Sequence, residues 1–141
     1  MTMMKRILLE LICLLLIISA SGQNDWQKRM KEFQDARFGM FIHWGPVSLK
    51  GAEMSWSRGS KLYNITVEEY DNLYKQFNPV NFNADEWAGL AKEAGMKYIV
   101  FTSKHGDGFC MWNTRYNDYN IMNSPFKRDV VKELADACRK Q

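Results

Sequence analysis

The feature that most constrains this chain is the stretch Arg37-Phe38-Gly39-Met40-Phe41-Ile42-His43-Trp44-Gly45-Pro46. A short apolar run, Phe38 to Ile42, stops at a histidine, a tryptophan and a Gly-Pro breaker. A run of that length, closed by a turn signal, predicts a fully buried strand. His43 and Trp44 then stand at its carboxyl end, where α/β folds gather their ligands. The pattern recurs in Met96-Lys97-Tyr98-Ile99-Val100-Phe101-Thr102, followed at once by Ser103-Lys104-His105-Gly106-Asp107-Gly108-Phe109. The chain holds two histidines, and each closes a predicted strand.

The segments around these strands read as helices and loops. Residues 24–34 carry Trp26, Met30 and Phe33 at helical spacings and predict a short amphipathic helix. A Gly- and Ser-rich loop from Val47 to Asn64 contains Glu53, Trp56 and Arg58. Thr66 then caps a helix over Val67–Gln76, with Glu69 at its N3 position and Tyr70, Leu73, Tyr74 and Phe77 on one side. After the Asn78-Pro79 break, Asn83 caps a helix from Ala84 to Ala94. Trp87, Leu90, Ala91 and Ala94 form its expected buried stripe, and Gly95 its C′ residue. A long loop, Ser103 to Lys127, leads to a final helix opened by Arg128 or Asp129. There Val130, Val131, Leu134, Ala135 and Cys138 are expected to face inward. Strand, loop, helix, strand, loop, helix implies parallel strands with helical crossovers. Two such strands cannot cover their own edges, so we expect an α/β chain that forms the N-terminal portion of a (β/α)8 TIM-like barrel, cut after about two βα units.

Composition narrows the class. A net charge of +3, with basic residues scattered among acidic ones, gives no nucleic-acid footprint. Lys5 and Arg6, the apolar run Ile7 to Ile18 and the small residues Ser19-Ala20-Ser21-Gly22 predict a signal peptide over residues 1–22 and export of residues 23–141. The apolar run is short for a membrane span, so no stable span is expected after cleavage. Cys13 leaves with the signal, and Cys110 and Cys138 are expected to stay unpaired. Asn64-Ile65-Thr66 is an N-glycosylation sequon, meaningful where the host glycosylates exported proteins.

Taken together, Phe33-Gln34-Asp35-Ala36-Arg37 with the Phe38–Pro46 strand, Pro79-Val80-Asn81-Phe82-Asn83-Ala84-Asp85-Glu86-Trp87, Ala94-Gly95-Met96-Lys97-Tyr98, Lys104-His105-Gly106-Asp107-Gly108-Phe109 and Lys127-Arg128-Asp129-Val130-Val131 resemble the opening of the glycoside hydrolase family 29 α-L-fucosidases. The resemblance covers nearly all of the chain after the signal. It implies a barrel with its site on the carboxyl-end loops, acting on fucosylated glycans by retaining hydrolysis of terminal α-L-fucosides, with no cofactor. It carries sugar-hydroxyl contacts over to His43 and His105, and a pocket wall to Trp56. Imidazole suits that task because it offers one donor and one acceptor in a fixed plane.

Two positions depart from the family pattern. Gly106 stands where a second histidine is usual, and Ser55 where a glutamate precedes the pocket tryptophan. Glu53, two residues earlier, is the candidate to reach the same hydroxyls. The catalytic carboxyl pair is expected beyond Gln141, so the chain taken alone should be catalytically silent. Asp107, between glycines, reads as a turn former instead. Trp44 and Trp87 read as packing residues, while Trp112 fits a pocket wall or a loop anchor equally well. A metal site is not expected, because the spacing offers neither H-x-H nor H-x-x-x-H. The alternative function is a non-catalytic carbohydrate-binding protein that keeps the histidine and aromatic pocket without the carboxylates.

Overall fold

The computed structural model describes Ile7 and residues 25–141. Apart from Ile7, the expected signal segment lies outside the described residues, as does Cys13. The described chain falls into two units, one ending at Arg37 and one running from Phe38 to Gln141. In the first, residues 25–36 are helical, as the Trp26, Met30 and Phe33 spacing predicts. Exposed i,i+4 pairs Asp25–Arg29 and Lys31–Asp35 run along it.

The second unit is built on two parallel strands, β1 (Gly39–Ile42) and β2 (Tyr98–Phe101), paired Gly39 with Tyr98 through Ile42 with Phe101. The ladder continues past both ends, from Lys97 N–H to the Phe38 carbonyl (2.8 Å) and from Thr102 N–H to the Ile42 carbonyl (3.0 Å). The crossover between them contains α1 (Val67–Asn72), which tightens into a 3-10 turn over Leu73–Gln76, and α2 (Ala84–Glu93). After β2 comes the long loop and then α3 (Val130–Lys140).

The helix boundaries follow the capping read from the sequence at Thr66 and Asn83, and at the last helix the cap is Asp129 rather than Arg128. Thr66, Asn83 and Asp129 each accept, through the side chain, the amide of the residue three positions on. At the far end of α2, Gly95 is left-handed (φ 78°). Gly95 N–H bonds the Lys92 carbonyl and Met96 N–H the Ala91 carbonyl, which together close a Schellman motif.

Burial departs from expectation in three places. The strands are not fully buried: Phe41 is 66% exposed and Val100 39%, because the sheet has one covered face and one open face. On α2 the buried residues are Ala84, Ala88 and Ala91, while Leu90 and Ala94 are exposed. On α3 they are Val130, Leu134 and Ala137, and Cys138 is exposed. Ala84, Ala88 and Ala137 belong to the same buried cluster as Val130 and Leu134, so small side chains carry the close helix contact and turn Leu90 outward. Cys110 is buried and Cys138 exposed, and neither is bridged.

Gly39 has a particular reason to be glycine. A Cβ there would lie 2.3 Å from the Tyr98 ring, which crosses the strand over this position. Gly39→Ala should therefore drive the ring aside and lower stability by about 1–3 kcal/mol, read from the denaturant midpoint of the full-length protein. In a Tyr98→Ala background the same change should cost little or stabilise, since alanine outperforms glycine in a strand by roughly 0.5–1 kcal/mol. Equal costs in both backgrounds would remove the ring from the explanation.

Candidate functional site

Parallel pairing puts side chains of matched residues on the same face, and alternation along each strand sorts the rest. Extending the register past Ile42 and Phe101 sets His43 opposite Thr102. There the Thr102 Oγ1 and His43 Nδ1 lie 2.7 Å apart. His43 shares the open face with Phe41, their ring centroids 5.2 Å apart. Trp44 points the other way, into a box formed with Phe77, Phe82 and Trp87 at centroid distances of 5.3, 5.5 and 5.3 Å. The strand end thus divides its two aromatic residues between the open face and the core, and Trp44 is a packing residue.

The turn after β2 brings the second histidine to the first. The His43 and His105 rings meet edge to face, centroids 5.2 Å apart and planes at 79°. The turn that carries His105 is shaped by Asp107, whose Oδ1 accepts from Phe109 N–H (3.2 Å), the turn-forming role expected of it. Its Oδ2 accepts from the Tyr70 hydroxyl (2.6 Å), which ties the turn to α1.

A third segment docks on this turn through Ser55. Its N–H donates to the Tyr70 hydroxyl (2.8 Å), and its Oγ accepts from Asp107 N–H (2.7 Å). The same Oγ lies 2.5 Å from His105 Nδ1. Glu53 and Trp56 flank Ser55 and are both exposed, Trp56 at 76%. They stand on the segment that docks on the histidine turn, and among the described residues neither makes a hydrogen bond or ring contact with either imidazole. Ser55 adopts a left-handed backbone (φ 59°), a costly conformation for a residue with a Cβ. Sequence reasoning gave Thr102 and Tyr70 no part in the site and named Ser55 only as a departure from the family pattern. The only signal that could have found Thr102 is its position next to the second strand end, matching His43 in the register.

The long loop that carries this turn is ordered by its own hydrogen bonds. Met111 N–H reaches the Ser103 carbonyl (2.9 Å) and Ile121 N–H the Cys110 carbonyl (2.9 Å). Asn120, 3% exposed, caps the 3-10 turn Ile121–Asn123 by accepting from Met122 N–H. Trp112 is half-buried in this loop.

Burial first, and acceptance of its proton by Asp107 second, push the Tyr70 phenol well above the ordinary tyrosine range. Burial, followed by the Asp107 charge, does the same for Tyr119. Beside His43, Trp44, Asn78, Val80 and Phe82 line a depression of about 490 Å³. A larger one, about 740 Å³, runs along β2 between α2 and α3, lined by Ile99, Phe101, Val131 and Leu134. Lys92, Lys97, Ser103 and Gln141 also line it, but it holds neither histidine, so size alone misplaces the chemistry. Among the described residues, no three His, Cys, Asp or Glu side chains converge as metal ligands would.

Comparison with known proteins gives this geometry a context. The profile of the family described as alpha-L-fucosidase matches residues 19–141. Human plasma alpha-L-fucosidase is 40% identical over 121 residues, covering 76% of this chain and 26% of that protein. Among solved structures, alpha-L-fucosidase isoenzyme 1 from Paenibacillus thiaminolyticus superposes with a TM-score of 0.72 at 45% identity, over 81% of this chain and 26% of that one. A Bacteroides thetaiotaomicron alpha-L-fucosidase, trapped as a covalent intermediate with 2-fluoro-fucosyl fluoride, gives a TM-score of 0.70 at 38% identity, over 79% and 27%.

Neutral Tyr70 links stability to pH. Its folded pKa exceeds the unfolded value of about 10, so the folded state keeps a proton that the unfolded chain surrenders. Its contribution is complete below about pH 10 and is lost as pH climbs through the raised folded value. Tyr70→Phe should make the alkaline fall in stability shallower by one titrating group. It should also cost about 1–3 kcal/mol at neutral pH, because Ser55 N–H and Asp107 lose their partner. Denaturant titrations at several alkaline pH values would show both effects; an unchanged alkaline slope would contradict the first.

Proposed function

The chain belongs to the alpha-L-fucosidase family, and from that premise we propose that it supplies the sugar-recognising front of an exported enzyme that hydrolyses terminal α-L-fucosides with retention. In this reading β1 and β2 are the first strands of a (β/α)8 barrel, and their open face turns to the barrel interior. Residues 1–22 act as a cleaved signal peptide and residues 23–141 belong to the catalytic domain. Export agrees with similarity to a plasma fucosidase, and no helix among the described residues is long and apolar enough to cross a membrane.

The observation that carries the proposal is the edge-to-face meeting of His43 and His105 at the ends of two paired strands. Each ring has Nδ1 at a hydroxyl and Nε2 without a protein partner among the described residues, leaving two adjacent polar atoms for a sugar. Glu53 and Trp56, exposed on the docked segment, would complete the contact as hydroxyl acceptor and apolar wall. Retention requires two carboxyl groups about 5 Å apart. Asp107 is not assigned to that pair, because both its oxygens already accept hydrogen bonds.

The full-length protein should release fucose from an aryl α-L-fucoside, with the α anomer appearing first by NMR. The β anomer first would overturn retention, and fucose binding without turnover would favour a carbohydrate-binding protein instead. His43→Ala should lower kcat/KM by about twofold to tenfold, the worth of one neutral hydrogen bond. Its melting temperature should barely change, because His43 is exposed and its removal opens no core cavity. A large drop in melting temperature with unchanged kinetics would assign His43 to the scaffold.

A further inference from the structure

We infer that Ser55 is a positioning residue for His105, fixing the imidazole as its Nε2–H tautomer so that it presents a donor to the bound sugar. A serine hydroxyl has one proton to give and two lone pairs to receive. One lone pair of Ser55 Oγ already receives Asp107 N–H at 2.7 Å. The only acceptor at bonding distance for its proton among the described residues is His105 Nδ1, 2.5 Å away. If Nδ1 carried the proton instead, the hydroxyl would accept twice and its own proton would lose its partner in a half-buried place. Donation from Oγ to Nδ1 satisfies every group. Neutral His105 then carries its proton on Nε2.

Two further features fit this role. Ser55 is held in a left-handed conformation, and hydrogen bonds at both its N–H and its Oγ fix it there. Gly106, next to His105, is the position that makes room. A Cβ at 106 would sit 3.3 Å from Ser55 Oγ and crowd the hydroxyl that His105 requires. Serine, glycine and histidine therefore form one device: the glycine admits the hydroxyl, and the hydroxyl sets the tautomer.

The consequence for recognition rests on the reading of His105 as a sugar contact. An Nε2–H ring can only donate from that atom, so His105 should select a sugar oxygen that accepts. Nitrogen NMR tests the tautomer directly. The full-length protein would be labelled with 15N-histidine and studied in mildly alkaline buffer, where an ordinary imidazole (pKa about 6.5) is neutral. His105→Asn would assign its resonances.

The expected result is a single Nε2–H tautomer at His105 in the unmodified protein and a mixture in Ser55→Ala. Ser55→Gly, which removes the same hydroxyl while relieving the left-handed backbone, should give the same mixture. Both variants should bind L-fucose about threefold to tenfold more weakly. A purely structural serine would alter stability and leave the tautomer alone. An Nδ1–H ring in the unmodified protein, or an Nε2–H ring unaltered in both variants, overturns the assignment. The expected tautomers in a ring whose resonances ignore added fucose would uphold the assignment and overturn the sugar-binding reading instead.

Discussion

The register between β1 and β2 is what the rest of the site depends on, and an aromatic box holds it in place. Side chains alternate faces along a strand, so a slip of one residue would exchange the environments of His43 and Trp44. Trp44 lies among Phe77, Phe82 and Trp87, whose rings close around it at 5.3–5.5 Å. Aromatic contacts of this kind add about 0.5–1.5 kcal/mol each beyond the area they bury. A slipped strand would lose three of them and place an imidazole in an apolar box. The core residue therefore sets the register, and the register sets His43 opposite Thr102 on the open face.

His105 depends on a different chain of causes, one that starts at a helix cap. Thr66 closes the first turn of α1 by accepting Glu69 N–H. The helix it opens carries Tyr70, 2% exposed, whose hydroxyl reaches Ser55 on one side and Asp107 on the other. Three segments distant in sequence meet at that one oxygen. Tyr70 contributes little by way of charge, since burial keeps its phenol neutral, but as both donor and acceptor it fixes two loops at once. A phenylalanine would fill the same space and secure neither loop.

How much of this could be read from residues alone follows from how local each cause is. The start of α3 was legible only as Arg128 or Asp129, but helix caps at Thr66 and Asn83 and the stop at Gly95 depend on interactions within a few residues and were legible. So were the two strand ends and the turn made by Asp107, because apolar runs, glycines and breakers mark them directly. The buried stripes were less legible. Hydrophobic pattern placed Ala91 correctly but also favoured Leu90 and Cys138, and it passed over Ala88 and Ala137, which are buried where smallness rather than hydrophobicity decides. The Ser55 contact was not legible at all. It needs a left-handed backbone at 55, a tyrosine fifteen residues on and a turn some fifty residues on, and no local signal joins them.

The two departures from the family pattern, Ser55 and Gly106, look independent in the sequence and look like losses. In space they touch, and each gives the other its meaning. A larger side chain at 106 would press on the Ser55 oxygen, and a longer one at 55 could not place its polar atom between Asp107 N–H and His105 Nδ1 in the same way. What the pair gives up is bulk and polar reach beside His105; what it gains, on the inference drawn above, is a fixed orientation and proton position for the histidine that remains. A site with fewer polar contacts discriminates by how well those contacts are pre-set, because an unpaired polar group costs more than a paired one returns. In the proposed reading, the weight of sugar recognition would shift from the number of groups facing the sugar to the rigidity of two imidazoles, each with a hydroxyl at Nδ1.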